Sequence, residues 1–89
     1  MPHYNDQEIK FTLHAAGYTE RRGFSLAEAE EAIKKSEWIS SDKGRLECRM
    51  NIPFGKDWNG KHYETKQIRP IFVVEGDEII VVTVFTYYF

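Results

Sequence analysis

Arg45 and Arg49 lie four residues apart in "RLECRMNI", residues 45–52, where apolar and polar residues alternate. On a strand, that spacing puts both guanidinium groups on one face, about 13 Å apart at roughly 3.3 Å per residue. A guanidinium is a planar fork of donors matched to phosphate oxygens, so the pair can touch separate phosphates. Arg69 adds a third cation in the next strand-like run, and His62 sits in or near the turn between them. Imidazole is the side chain suited to proton transfer near neutral pH. Tyr87 and Tyr88 close the last apolar run, and a phenol ring there can stack on a base or donate a proton. His14, Tyr18 and Arg22 recur at four-residue steps, which aligns them on one helix face and offers His14 as a general base or phosphate ligand. Cations, a base and an acid are what reaction at a phosphate ester needs.

Each feature also has an ordinary reading. The arginine face can be a solvated sheet face with surface ion pairs. His14 can pack or hydrogen-bond at a helix start, while Arg22 binds carbonyls or an acidic partner. Glu28, Glu30 and Glu31 cluster in the second helical stretch, but capping explains Glu28 and solvation the rest. Trp38 and Trp58 flank the strands, where core or edge cover competes with a binding platform. His3, His14 and His62 have no metal-ligand spacing, so neither metal nor cofactor is expected. Glycine-rich phosphate loops, serine elbows and dinucleotide fingerprints are all missing from the sequence.

The elements that position these residues are legible in outline. At 89 residues the chain is long enough for one domain, expected over residues 11–89 behind a flexible arm at residues 1–10. A content of 42% hydrophobic and 15% aromatic residues argues against intrinsic disorder. A net charge of −2 does not fit a strong nonspecific nucleic-acid binder, although residues 45–69 are locally basic. One cysteine, Cys48, permits no internal disulfide and alternates onto the apolar face. The polar start lacks a signal-peptide core, and the longest apolar run is too short to span a bilayer. A cytoplasmic protein without membrane association is expected.

A first helix is predicted from Phe11 or Thr12 to the stop at Gly23. A second starts at the "SLAE" capping box, Ser25 with Glu28, carries Leu26, Ala29, Ala32 and Ile33 as its apolar stripe, and ends near Ser36. Strands follow at "RLECRMNI", "IRPIFVV" and "IIVVTVFTY", joined by turns at Asn59-Gly60 and "EGDE". Pro70 is expected near a strand start or on an exposed side. The sum is an α+β domain: a helical hairpin packed on one face of a three- to four-stranded antiparallel sheet.

The residues His14-Ala15, Arg22-Gly23-Phe24-Ser25, Glu28 and "EIIVVTVF" together resemble small BrnT-like domains of the RelE-like toxin superfamily. That pattern has His-Ala, an arginine four residues on and another four later, then Gly, an apolar residue and Ser. Tyr18 occupies the first arginine position and Arg22 keeps the second. The resemblance implies a RelE/BrnT-like fold and a toxin-like endoribonuclease, or a degenerate relative, that cleaves RNA by 2′-hydroxyl attack without a cofactor. His62, His14 and Arg49 are then the catalytic candidates, and Arg45, Arg69, Arg22 and Tyr87 would bind RNA or phosphate. The alternative is a non-catalytic module that binds an antitoxin-like protein by strand addition or helix docking, or a homodimer that buries the tail "TVFTYYF".

Overall fold

The computed structural model describes residues 7–89. Strand β1 (Glu8–Phe11) leads into two single-turn helices, α1 (Leu13–Ala16) and α2 (Thr19–Arg22), and then α3 (Leu26–Lys35). Strands β2 (Ile39–Ser40), β3 (Leu46–Glu47), β4 (Met50–Trp58), β5 (Lys61–Glu75) and β6 (Glu78–Tyr88) follow, with a 3₁₀ turn at Asp42–Gly44. The sheet order is β1-β6-β5-β3-β2, and β4 pairs with β5. The protein is therefore α+β, but its six-stranded sheet is larger than expected. It is also mixed, because β1 runs parallel to β6. Residues 1–6 of the expected arm lie outside the described residues, whereas residues 8–10 belong to β1, tied down by a Lys10–Glu78 ion pair of 2.5 Å.

The predicted first helix is interrupted after Gly17, where the amide of Tyr18 reaches back only to Ala15. Glycine weakens a helix interior by about 1 kcal/mol, and competing partners hold both ends of this segment. Thr12 caps α1 through its hydroxyl, which accepts from the Ala15 amide at 3.1 Å and donates to the Val82 carbonyl of β6. At the other end the Arg22 carbonyl accepts from the hydroxyls of Thr86 and Tyr88. Helices α1 and α2 thus run beside the half of β6 that β1 does not cover.

Helix α3 follows its sequence closely. Ser25 and Glu28 form the reciprocal capping box at 3.0 and 2.9 Å, and Ala29, Ala32 and Ile33 are fully buried. Leu26 departs from the predicted stripe and is partly exposed. The buried face meets Ile68, Phe72, Ile79, Val81 and Val84 of the sheet. Trp38 closes this core, donating from Nε1 to the Ile33 carbonyl at 2.8 Å with its ring edge-on to Phe72.

The alternation of "RLECRMNI" survives in the fold. Cys48 lies in the core, with Leu46, Met50 and Ile52 packed against it, and burial pushes the Cys48 thiol up to about 12. Strands β3 and β4 keep one register against β5, from Leu46 opposite Phe72 to Met50 opposite Ile68. Their interruption falls opposite Pro70, which has no N–H to give; the Cys48 amide still donates to its carbonyl. Pro70 is thus buried mid-sheet, not near a strand start or exposed. No helix among the described residues is long and apolar enough to cross a membrane.

Candidate functional site

Cross-strand pairing assigns the faces of the sheet. Residues opposite one another share a face: Arg69 with Phe85, Ile71 with Thr83, Gln67 with Tyr87, and Glu47 with Ile71. These side chains lie opposite the core set of Ile68, Phe72 and Val84, on the face turned away from α3. The loop at residues 41–45, with its 3₁₀ turn, lies against part of that face.

Glu47 organises its centre. The carboxylate is only 4% exposed and accepts from Arg69 Nε and a terminal Arg69 nitrogen at 2.9 and 2.8 Å, a two-pronged charge-assisted pair. Arg49 Nε stands 3.5 Å away, and the Ser41 hydroxyl adds a further hydrogen bond. The hydrogen bonds from Arg69, aided by the cationic charges, hold the Glu47 carboxyl down at about 2. They also raise the affinity of Arg69 for its proton. Arg69 then donates to the Tyr87 hydroxyl at 2.9 Å and lies 5.6 Å from the centre of the Phe85 ring.

Arg22 reaches this face around the edge of β6. The α2 stop places it there: Gly23 is left-handed, with φ +76°, and seats against Tyr88 and Trp58, which stack 4.9 Å apart. The Arg22 guanidinium donates to the Val84 carbonyl at 2.8 Å and to Thr83 Oγ1 at 3.1 Å. It lies 4.1 Å from the Tyr18 ring centre and 4.9 Å from that of Phe85. His14 is exposed, its ring 4.8 Å from Tyr18. The result is a continuous series of side-chain contacts, His14–Tyr18–Arg22–Phe85–Arg69–Tyr87, in which the Tyr18 and Phe85 rings lie against guanidinium groups and the last link is a hydrogen bond to the Tyr87 hydroxyl.

Of the residues singled out from sequence, His14, Arg22, Arg69 and Tyr87 are joined in this series. Arg49 is attached through Glu47, and Arg45 lines a groove beside Arg69. His62 is not among them. It stands on the β4–β5 hairpin between Asp57 Oδ1 at 3.3 Å and Glu64 Oε2 at 2.8 Å, seven residues from Arg69, or about 23 Å along an extended strand. The expected grouping of His62 with the three arginines does not form. Arg69 also has most of its fork committed to Glu47, so the more available cations are Arg49, Arg45 and Lys43. Among the described residues no cluster of three or more potential metal ligands occurs.

Sequence reasoning passed over Thr83 and Phe85, although their alternation with Tyr87 marked one face of β6. It also passed over Lys43, which no periodic pattern flags. Compared with protein families, curated proteins and solved structures, the chain matches none.

Proposed function

We propose that the sheet face turned away from α3 binds single-stranded RNA, and that the protein is a toxin-like endoribonuclease of BrnT/RelE-like character or a degenerate relative of one. The observation that carries this reading is the arginine–aromatic series that joins His14 to Tyr87, on the sheet face turned away from α3 and beside Lys43, Arg45 and Arg49. Single-stranded nucleic acid is held by that combination: cations follow the backbone, and exposed rings accept bases by stacking. Tyr87, 41% exposed, is the more open ring, and Phe85 lies against two guanidinium groups and also lines the groove beside them. Any cleavage would draw its proton chemistry from His14, the imidazole of the series. The 2′-oxygen would attack the adjacent phosphorus, its proton passing to a base, and the 5′-oxygen would leave with a proton from an acid.

Partner binding finds less support. The free edge of β4 carries Pro53 and a left-handed Gly55 at a register shift, devices that blunt strand addition. The tail expected to bury itself in a homodimer is largely used within the chain, since Val84 is in the core and Tyr88 stacks on Trp58.

Fluorescence anisotropy with a labelled single-stranded oligoribonucleotide tests the reading. Tyr87→Ala is expected to weaken binding about 5- to 100-fold, the range for loss of one base–ring stack, and Tyr87→Phe to restore most of it. Arg49→Ala is expected to reduce the slope of log affinity against log salt by about 0.7. His14→Ala should remove any cleavage and weaken binding less than Tyr87→Ala does. No wild-type binding at low salt, or equal binding by Tyr87→Ala, would overturn the proposal.

A further inference from the structure

A groove of about 280 Å³ lies on the same face, between the loop at residues 41–45 and strands β5 and β6. Ile71, 8% exposed, and Phe85 give it an apolar lining. Its rim carries Lys43 and Arg45, neither of them ion-paired to a carboxylate among the described residues. Thr83 completes it with a hydroxyl whose oxygen accepts from Arg22. Asp42 is the one acidic residue of the lining, and it is exposed.

The loop is held in a conformation that favours other residues. Lys43 has φ +61° and ψ 34°, and Gly44 follows with φ +75°. Two consecutive left-handed residues suit glycine or asparagine, and a lysine there is strained. A local backbone outlier at a groove rim motivates a functional reading: the side chain of Lys43 is worth its unfavourable backbone. The Ser41 amide bonds to the Arg45 carbonyl at 2.8 Å, closing the loop so that Lys43 and Arg45 stand on one tight turn.

Resting on the RNA-binding reading above, we infer that this groove is a single-nucleotide subsite. The phosphate lies against Lys43, Arg45 and the Thr83 hydroxyl, and the base lies over Ile71 and Phe85. A groove just below the usual range for small-molecule sites holds one nucleotide and not a run of them. Lys43 and Arg45 on the loop side and apolar Ile71 and Phe85 on the strand side match the division of a nucleotide into phosphate and base, while Arg69, the third cation of the lining, is held by Glu47.

Competition against the labelled oligoribonucleotide tests this, using adenosine 5′-monophosphate, adenosine, inorganic phosphate and an acidic peptide as separate probes. The monophosphate is expected to displace RNA at least ten times more effectively than adenosine or phosphate alone, and Arg45→Ala to weaken it at least fivefold. Lys43→Gly is the sharper variant. It relieves the left-handed strain and is expected to raise Tm while weakening the monophosphate at least threefold; a lysine with only a structural role would give a Tm change alone. Phosphate competing as well as the monophosphate, or the acidic peptide competing better, would overturn the nucleotide subsite. RNA binding that the monophosphate does not disturb would overturn the subsite and leave the RNA reading standing. Absence of RNA binding would overturn both.

Discussion

Gly23→Ala is expected to lower the melting temperature by about 8 °C or more. A Cβ at this position would lie 2.2 Å from the Tyr88 hydroxyl oxygen and 2.7 Å from the Trp58 ring, so something must move. Neither neighbour is free to do so. The Tyr88 hydroxyl bonds to the Arg22 carbonyl at 2.9 Å, Trp58 is stacked on Tyr88, and the Gly23 carbonyl accepts from the buried Lys66 ammonium at 2.9 Å. Lys66 also pairs with Glu28 at 3.1 Å, so displacing the turn disturbs the capping box of α3. Alanine at φ +76° costs about 1 kcal/mol, and forced overpacking adds roughly 1–3 kcal/mol. A chain of this length has only about 5–13 kcal/mol in total, and each kcal/mol moves Tm by about 4–8 °C. Gly76→Ala is the control: its φ is +60° and nothing stands within 4 Å of the new methyl group. Thermal unfolding of the two variants separates backbone strain from close approach, and equal drops in Tm would contradict the account.

Glu47→Gln is expected to cost about 3 kcal/mol at pH 7 and to remove most of the acid sensitivity of the fold. Arg69, with its side chain 23% exposed, would keep its charge and lose its carboxylate partner. Breaking one side of a buried pair costs about 3–5 kcal/mol, and the partial exposure of Arg69 argues for the lower end. The pH dependence has a definite sign. The carboxyl falls from its ordinary 4.5 to about 2 on folding, so its contribution is fully present above pH 4.5 and is lost as pH drops from there toward 2. At 1.36 kcal/mol per pH unit this amounts to about 3 kcal/mol. Urea unfolding at pH 7 and pH 3 measures it: the wild type should lose far more stability than Glu47→Gln between those values. Parallel losses would show that Glu47 is not the titrating group.

Local patterns in the chain were readable and long-range ones were not. The Ser25–Glu28 capping box lies within four residues and forms as written. The two faces of "RLECRMNI" follow from a period of two and hold through the break between β3 and β4. Arg22 read as a helix-end cation, but its partners Thr83 and Val84 lie more than 60 residues away, beyond any spacing rule. Gly23 read as a helix stop, which it is, yet nothing local announces that Tyr88 and Trp58 press against it. The segment "EIKF" in β1 is too short to declare itself and gains its hydrogen bonds only from β6. Glu47 looked like one more wet position in an alternating strand. Its burial depends on Arg69 arriving on β5 and on the loop at residues 41–45 folding over.

The opening stretch of helix carries the same lesson. His14, Tyr18 and Arg22 were aligned by a helical period that the structure interrupts at Gly17. They meet all the same, because Tyr18 lies between the His14 ring and the Arg22 guanidinium. Their association is made by the edge of β6 and not by one helix face.

On the proposed reading, RNA lies on the sheet face turned away from α3. An amide-resolved NMR titration of the ¹⁵N-labelled protein with a single-stranded oligoribonucleotide tests it most directly. Shifts are expected to concentrate at Arg22, Lys43, Arg45, Arg49, Arg69, Thr83, Phe85 and Tyr87, with α3 and the His62 hairpin unchanged. Shifts centred on Glu30, Glu31, Lys34 and Lys35, or none at low salt, would contradict it.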